Sequence, residues 1–208
     1  SLPSVPAGRY SDLSVGRSAD ACAIEATTDI AVCWGDTAAL LTTPQTPLSH
    51  IEVAEDWACG LARDTAQVQC WGNVPNGTLV PSGPGFTQLS MGGQLACAIN
   101  AERNLQCWGI DAYDMLDPPT GVFEHLSIGP NSGCAIAPNG VPTCWGLGSP
   151  TRPHFGQGIP PSDITFQSVS VGAYHTCGRR VDGTMSCWGA GSPGGQAGPF
   201  NAGQASPP

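Results

Sequence analysis

The chain has 208 residues, a net charge of −9 and seven arginines with no lysine; it offers no basic face to phosphate, which argues against nucleic-acid binding and attraction to anionic membranes. With 28 Gly and 20 Pro against 11% charged residues, the composition is turn-rich and all-β, helix is expected to be nearly absent, and no apolar run reaches the roughly 18 residues of a membrane span. Ten cysteines, once paired, persist only in oxidising surroundings, so the chain is expected to be secreted, periplasmic or displayed on a surface.

Residues 1–9 contain two prolines and show no signal peptide, so a mature form is expected. From Tyr10 onward the chain repeats itself. A unit that opens at Cys22, Cys59, Cys97, Cys134 or Cys177 closes in a Cys-Trp-Gly triplet at Cys33, Cys70, Cys107, Cys144 or Cys187, and successive triplets lie 37, 37, 37 and 43 residues apart. A fixed period of this size marks a repeat architecture. Eleven residues before each leading cysteine, twelve in the first copy, stands a large apolar residue: Tyr10, Leu48, Phe86, Phe123 or Phe166. The segments that follow alternate, as in Leu89/Met91, Leu126/Ile128 and Val169/Val171, which predicts a strand with one buried face.

Each unit also folds locally. Asn139-Gly140 and Asp182-Gly183 supply turn residues that tolerate positive φ, and an apex at Asn139 sets Cys134 opposite Cys144 across a hairpin. Facing cysteines in adjacent strands reach disulfide distance. Sequence leaves connectivity open in principle; the local register favours Cys22–Cys33, Cys59–Cys70, Cys97–Cys107, Cys134–Cys144 and Cys177–Cys187.

The pattern apolar-x-x-Leu/Val-Ser-Val-Gly, four residues, Cys-Ala/Gly-Ile/Leu and x-Cys-Trp-Gly resembles the repeats of the regulator-of-chromosome-condensation family. Within it the chain is most similar to secreted, cysteine-bearing bacterial versions, to the beta-lactamase-inhibitory protein II type and to crinkly-type plant receptor kinase ectodomains. The resemblance implies a five-bladed β-propeller with one blade per repeat and one disulfide hairpin in each. It implies no single activity, because such proteins serve as exchange factors, inhibitors and receptor ectodomains; the acidic charge argues against the nuclear exchange-factor role.

On this reading residues 1–208 form a single domain, with repeats at 10–47, 48–85, 86–122, 123–165 and 166–208 of about 42 residues each, enough for four short strands. The C-terminal Gln204-Ala205-Ser206-Pro207-Pro208 resembles the Asp117-Pro118-Pro119 and Ile159-Pro160-Pro161 segments that precede Phe strands. The ends are therefore expected side by side, with N- and C-terminal strands closing the ring and residues 1–9 contributing.

Candidate binding residues lie in the loops before the leading cysteines, which share one end of the ring: Arg17 and Asp20, Asp56 and Trp57, Gln94 and Leu95, Asn131 and Ser132, Tyr174 and His175. Repeat proteins keep framework positions uniform and vary those that bind, and Trp57 is a non-repeating aromatic. The alternative is that these are solvated loop residues. The repeated Trp34, Trp71, Trp108, Trp145 and Trp188 read as packing between blades. The link after Trp145 is six residues longer than its counterparts and carries Arg152, His154 and Phe155, which suits a binding face.

Metal and cofactor signals are weak. Asp111, Asp114 and Asp117 do not match a calcium loop and read as an acidic loop, and His50 and His125 share a repeat position in non-adjacent blades, which disfavours a joint metal site. Asn76-Gly77-Thr78 is a glycosylation sequon. No hydrolase motif, phosphate loop, Cys-x-x-Cys or lysine is present, so no catalytic residue, metal or cofactor is assigned. The expectation is a secreted, non-catalytic, lectin-like or protein-binding module for a glycan or protein partner. The alternatives are an extracellular hydrolase or lyase using acids such as Asp12, Asp20 or Asp56 at the channel mouth, and a structural adhesion module.

Overall fold

The computed structural model describes residues 5–16, 19–147 and 155–190. These form fifteen strands and, among the described residues, no helix. Blade 1 holds β1 (Tyr10–Val15), β2 (Ala21–Glu25) and β3 (Ala31–Trp34), and blade 2 holds β4 (Leu48–Val53), β5 (Trp57–Ala62) and β6 (Val68–Gly72). Blade 3 is β7 (Gln88–Gly92), β8 (Leu95–Ile99) and β9 (Leu105–Gly109); blade 4 is β10 (His125–Ile128), β11 (Ser132–Ile136) and β12 (Pro142–Gly146). Blade 5 comprises β13 (Phe166–Val171), β14 (His175–Arg180) and β15 (Met185–Gly189). Every blade is an antiparallel meander in sequence order.

Among the described residues each blade has three strands rather than the expected four. The links that would have supplied a fourth carry Pro44 and Pro47, Pro75, Pro81 and Pro84, Pro118 and Pro119, or Pro160 and Pro161, which cannot donate to a ladder; they run as turns and bends. The five disulfides pair as expected, because β2–β3, β5–β6, β8–β9, β11–β12 and β14–β15 place the two cysteines of each unit directly opposite one another. No cysteine is free.

The blades are joined by a repeated packing rule. The tryptophan of one blade and two apolar residues of its first strand press on the leading cysteine, the aliphatic residue two places later and the start of the third strand in the preceding blade. Trp71, Ile51 and Val53 pack on Cys22, Ile24 and Ala31, and Trp108, Leu89 and Met91 pack on Cys59, Leu61 and Val68. Trp145, Leu126 and Ile128 meet Cys97, Ile99 and Leu105, and Trp188, Val169 and Val171 meet Cys134 and Ile136.

The first strand of each blade pairs on one side only, so its other backbone edge needs acceptors. Side chains of the preceding first strand provide them. Ser14, Ser90 and Ser127 Oγ accept from the N–H of Val53, Ile128 and Val171 at 2.9, 3.0 and 3.0 Å, and Asp12 and Gln88 accept from Ile51 and Leu126 at 3.0 and 2.9 Å. This explains the serine that recurs in the alternating segment.

Successive first strands pack as β1 on β4, β4 on β7, β7 on β10 and β10 on β13, and β13 is not packed on β1 in this way. Of the segments expected to close the ring, residues 5–9 are described and form no strand, while residues 1–4 and 191–208 lie outside the described residues.

The hairpin turns place one residue at positive φ in every repeat: Asp29, Ala66, Arg103, Gly140 and Gly183. Only two are glycine. Ala66 sits at φ 53°, a conformation that an L-residue adopts at a cost of about 1–2 kcal/mol. Ala66→Gly is expected to stabilise the fold by about 1 kcal/mol, read as a higher urea midpoint with an unchanged slope; an unchanged or lower midpoint would refute the strain argument.

Candidate functional site

The loop-bearing end is shaped by the glycine of each Trp-Gly. Gly35, Gly72, Gly109, Gly146 and Gly189 all have positive φ, between 86° and 141°. A Cβ at Gly72, Gly109, Gly146 or Gly189 would come within 2.8, 2.2, 2.8 and 2.6 Å of the carbonyl oxygen of Asp56, Gln94, Asn131 and Tyr174. The close approach lets the next residue tie the loop down. The N–H groups of Asn73, Ile110, Leu147 and Ala190 donate to those same four carbonyls at 3.0, 2.9, 2.8 and 2.8 Å. In blade 1 the Asp20 carboxylate substitutes, accepting from Thr37 N and Thr37 Oγ1 at 3.0 and 2.7 Å.

The structure divides the ten candidate residues. Asp20, Trp57, Leu95 and Ser132 are buried, which corrects the expectation that they form an exposed binding surface. Each lies two places before the leading cysteine and so on the same strand face, pointing at the next blade rather than at solvent. Trp57 is fully buried among Leu89, Ala96 and Trp108, and its Nε1 donates to Gly93 O across the joint at 3.2 Å. It rivets blade 2 to blade 3. Asp56, Gln94, Asn131, Tyr174 and His175 remain at least partly exposed, whereas Arg17 lies outside the described residues. Tyr174 has Phe155 of the long link edge-on at 5.4 Å; Arg152 and His154 of that link lie outside the described residues.

Gln94, Leu95 and Asn131 do come together. With Glu55, Gly93, Ile110, Ala112, Met115 and Pro130 they line a cleft of about 260 Å³ at the joint of blades 3 and 4. Leu95 and Met115 are buried, and Ile110 is 46% exposed. The Met115 carbonyl is held by Trp145 Nε1 at 3.2 Å. Sequence reasoning missed Ile110, Met115 and Pro130. The signal was Ile110 itself, an apolar residue straight after Trp-Gly in a polar link.

A second cavity, about 490 Å³, follows the propeller axis and is lined by the first strands, with His50, Glu52, Gln88, Ser90, His125 and Ser127 among its walls. His50 and His125 thus share a cavity although their blades are not adjacent. His50 Nδ1 lies 2.9 Å from Asp12 Oδ2 and its Nε2 3.5 Å from Glu52 Oε1; these two carboxylates hold its pKa above the ordinary value against the opposing effect of burial. His125 Nδ1 is buried without a partner, and desolvation pushes its pKa down. Among the described residues no group of three or more His, Cys, Asp or Glu is arranged to hold a metal. Asp111, Asp114 and Asp117 are exposed, and Asn76 lies in an exposed turn.

The fold and its joints define a repeat β-propeller. Residues 166–194 match the regulator of chromosome condensation (RCC1) repeat. Its structure is similar to the ectodomain of the Physcomitrella patens receptor kinase CR4, with 26% identity and a TM-score of 0.71 over 88% of this chain and 51% of that one. The ectodomain of the Arabidopsis thaliana receptor kinase ACR4 shares 23% identity with a TM-score of 0.66, covering 92% and 64%. Prp20p of Saccharomyces cerevisiae shares the fold at 16% identity and a TM-score of 0.66, covering 86% and 56%. The chain therefore spans between half and two thirds of the length of these structures. No curated protein matches it in sequence.

The two histidines pull stability in opposite directions with pH. A raised folded pKa means that the His50 contribution is complete below about pH 6.5 and fades as pH rises through the folded value; the lowered pKa of His125 means that its contribution fades as pH falls. His50→Gln is expected to flatten the alkaline loss in urea midpoints measured from about pH 6 to 9, and His125→Gln the acid loss. An unchanged alkaline slope in His50→Gln would show that the Asp12–His50–Glu52 contact does not tie blade 1 to blade 2.

Proposed function

We propose that this chain is a non-catalytic recognition module working in an oxidising, extracellular or periplasmic setting, and that it binds a protein partner across its loop-bearing end. An apolar side chain of the partner enters the cleft between blades 3 and 4. The observation that carries this reading is the cleft: an apolar floor of Leu95, Met115 and Ile110 rimmed by Glu55, Gln94 and Asn131. Such an arrangement suits a buried anchor surrounded by polar contacts. The loops are fixed to a frame stapled in every blade, which reduces the ordering entropy lost on association.

Comparisons support the class. The similar CR4 and ACR4 structures are receptor ectodomains, and the similar yeast RCC1 has been solved bound to Kap60. A glycan is less well supported here. Trp57, the aromatic on which sugar stacking would have rested, is buried, and the Tyr174 ring has Phe155 against its edge. For a hydrolase built on acids, Asp20 is buried and bonded to Thr37, and Asp12 is engaged by the Ile51 N–H and by His50.

Selection of displayed peptides on the immobilised chain supplies the test. Peptides carrying an apolar anchor are expected to be enriched. Leu95→Trp fills the cleft with the side chain that blade 2 already accommodates at the same repeat position, and it should weaken selected peptides at least about tenfold. Ile110→Asp should do the same, while Val141→Ser, in the hairpin turn of blade 4, should leave them unaffected. Full binding by Leu95→Trp and Ile110→Asp sinks the reading, and so does a glycan-array signal without peptide enrichment.

A further inference from the structure

Five blades in a closed ring would make five joints, and the described residues contain four. No fifth joint is made among the described residues, which leaves a covering face on blade 1 and a receiving face on blade 5. Leu13 and Val15, which occupy the positions of Ile51 and Val53 in blade 2, are 58% and 67% exposed where their counterparts are 1% and 5%. Trp34 is only half-buried, with Tyr10 against it at 6.3 Å, whereas Trp71, Trp108, Trp145 and Trp188 are all buried.

On blade 5 the disulfide Cys177–Cys187 is partly exposed. Arg179 stands where blades 1 to 4 carry the buried Ile24, Leu61, Ile99 and Ile136, and the exposed Met185 stands at the position of Ala31 and Val68.

We propose that these faces form a self-association interface, with blade 1 of one copy covering blade 5 of another, head to tail. The chain carries both halves of a joint that it already makes four times, and within one copy β13 and β1 are not packed together. The one departure from the internal pattern is complementary. By the packing rule of the other joints Arg179 falls opposite Trp34, where its stem covers apolar surface and its guanidinium lies on the indole. The interface is heterologous, so it extends a chain of copies rather than closing a two-fold dimer. Each copy carries a charge of −9, and added salt favours assembly by screening that repulsion.

Sedimentation and light scattering of the full chain from roughly 1 µM to 1 mM test this. The weight-average mass should climb above the 21.3 kDa monomer, and more steeply in higher salt. Leu13→Asp and Met185→Glu, both at exposed positions, should each remain monomeric with unchanged near-ultraviolet dichroism. Mixed in equal amounts they should give a species of twice the 21.3 kDa mass and nothing larger, because each keeps the face that the other has lost. A wild-type chain that stays monomeric throughout overturns the proposal, as does association that survives in either variant alone. Association appearing only after truncation beyond Ala190 would assign the face to residues 191–208 and overturn it equally.

Discussion

The structure depends on one contact made over and over: the indole of a Cys-Trp-Gly triplet, with two aliphatic residues of the blade's first strand, lying on the disulfide and β-branched or leucine side chain of the blade before it. A single repeat of this size cannot bury its own apolar face and needs a neighbouring blade to cover it. Its disulfide does not change that, since a short closed loop contributes about 2–3 kcal/mol by restricting the unfolded chain. What the disulfide adds to the native state is a flat, apolar patch in the middle of each blade face, on which the next tryptophan can rest. Staple and joint are thus the same pair of cysteines seen from two sides.

Joints of this kind bury apolar surface but leave the axial edge of each first strand unpaired, and the chain resolves this with side chains. Ser14, Ser90 and Ser127 receive the N–H groups that a neighbouring strand would have received in a continuous sheet. The axis is therefore polar by necessity. In blade 2 the serine position holds Glu52, and the carboxylate reaches Ser14 Oγ at 3.3 Å and His50. Histidine between two acids is a local consequence of that substitution, which weakens the temptation to read the group as catalytic.

Much of the frame was legible in the sequence because the repeat is in phase. The spacing fixed the hairpins, the hairpins fixed the cysteine register, and the tryptophans followed as joint residues. Trp57 was misread for a physical reason: position in a loop suggests exposure, but the loop ends one residue earlier, and β5 begins at the tryptophan itself. Periodicity of two from Cys59 would have put Trp57 on the covered face. Strand number was overestimated because length was counted without the prolines of the links. The open joint could not be read at all, since Leu13 and Val15 look like any other pair of the series, and only their surroundings differ.

In the first three joints the position two before the cysteine bears on where a cavity exists. Asp20 fills its joint by capping Thr37, and Trp57 fills the next with a ring that reaches Gly93. Leu95 is shorter by most of an indole, the joint is otherwise built to the same plan, and the space left over is the cleft. Ile110 and Met115 border that space from the link, where neither a ladder nor a disulfide constrains them. A repeat frame of this kind generates recognition sites by omission. Shortening one buried side chain opens a pocket between two rigid blades, without new backbone and without disturbing the joints on either side.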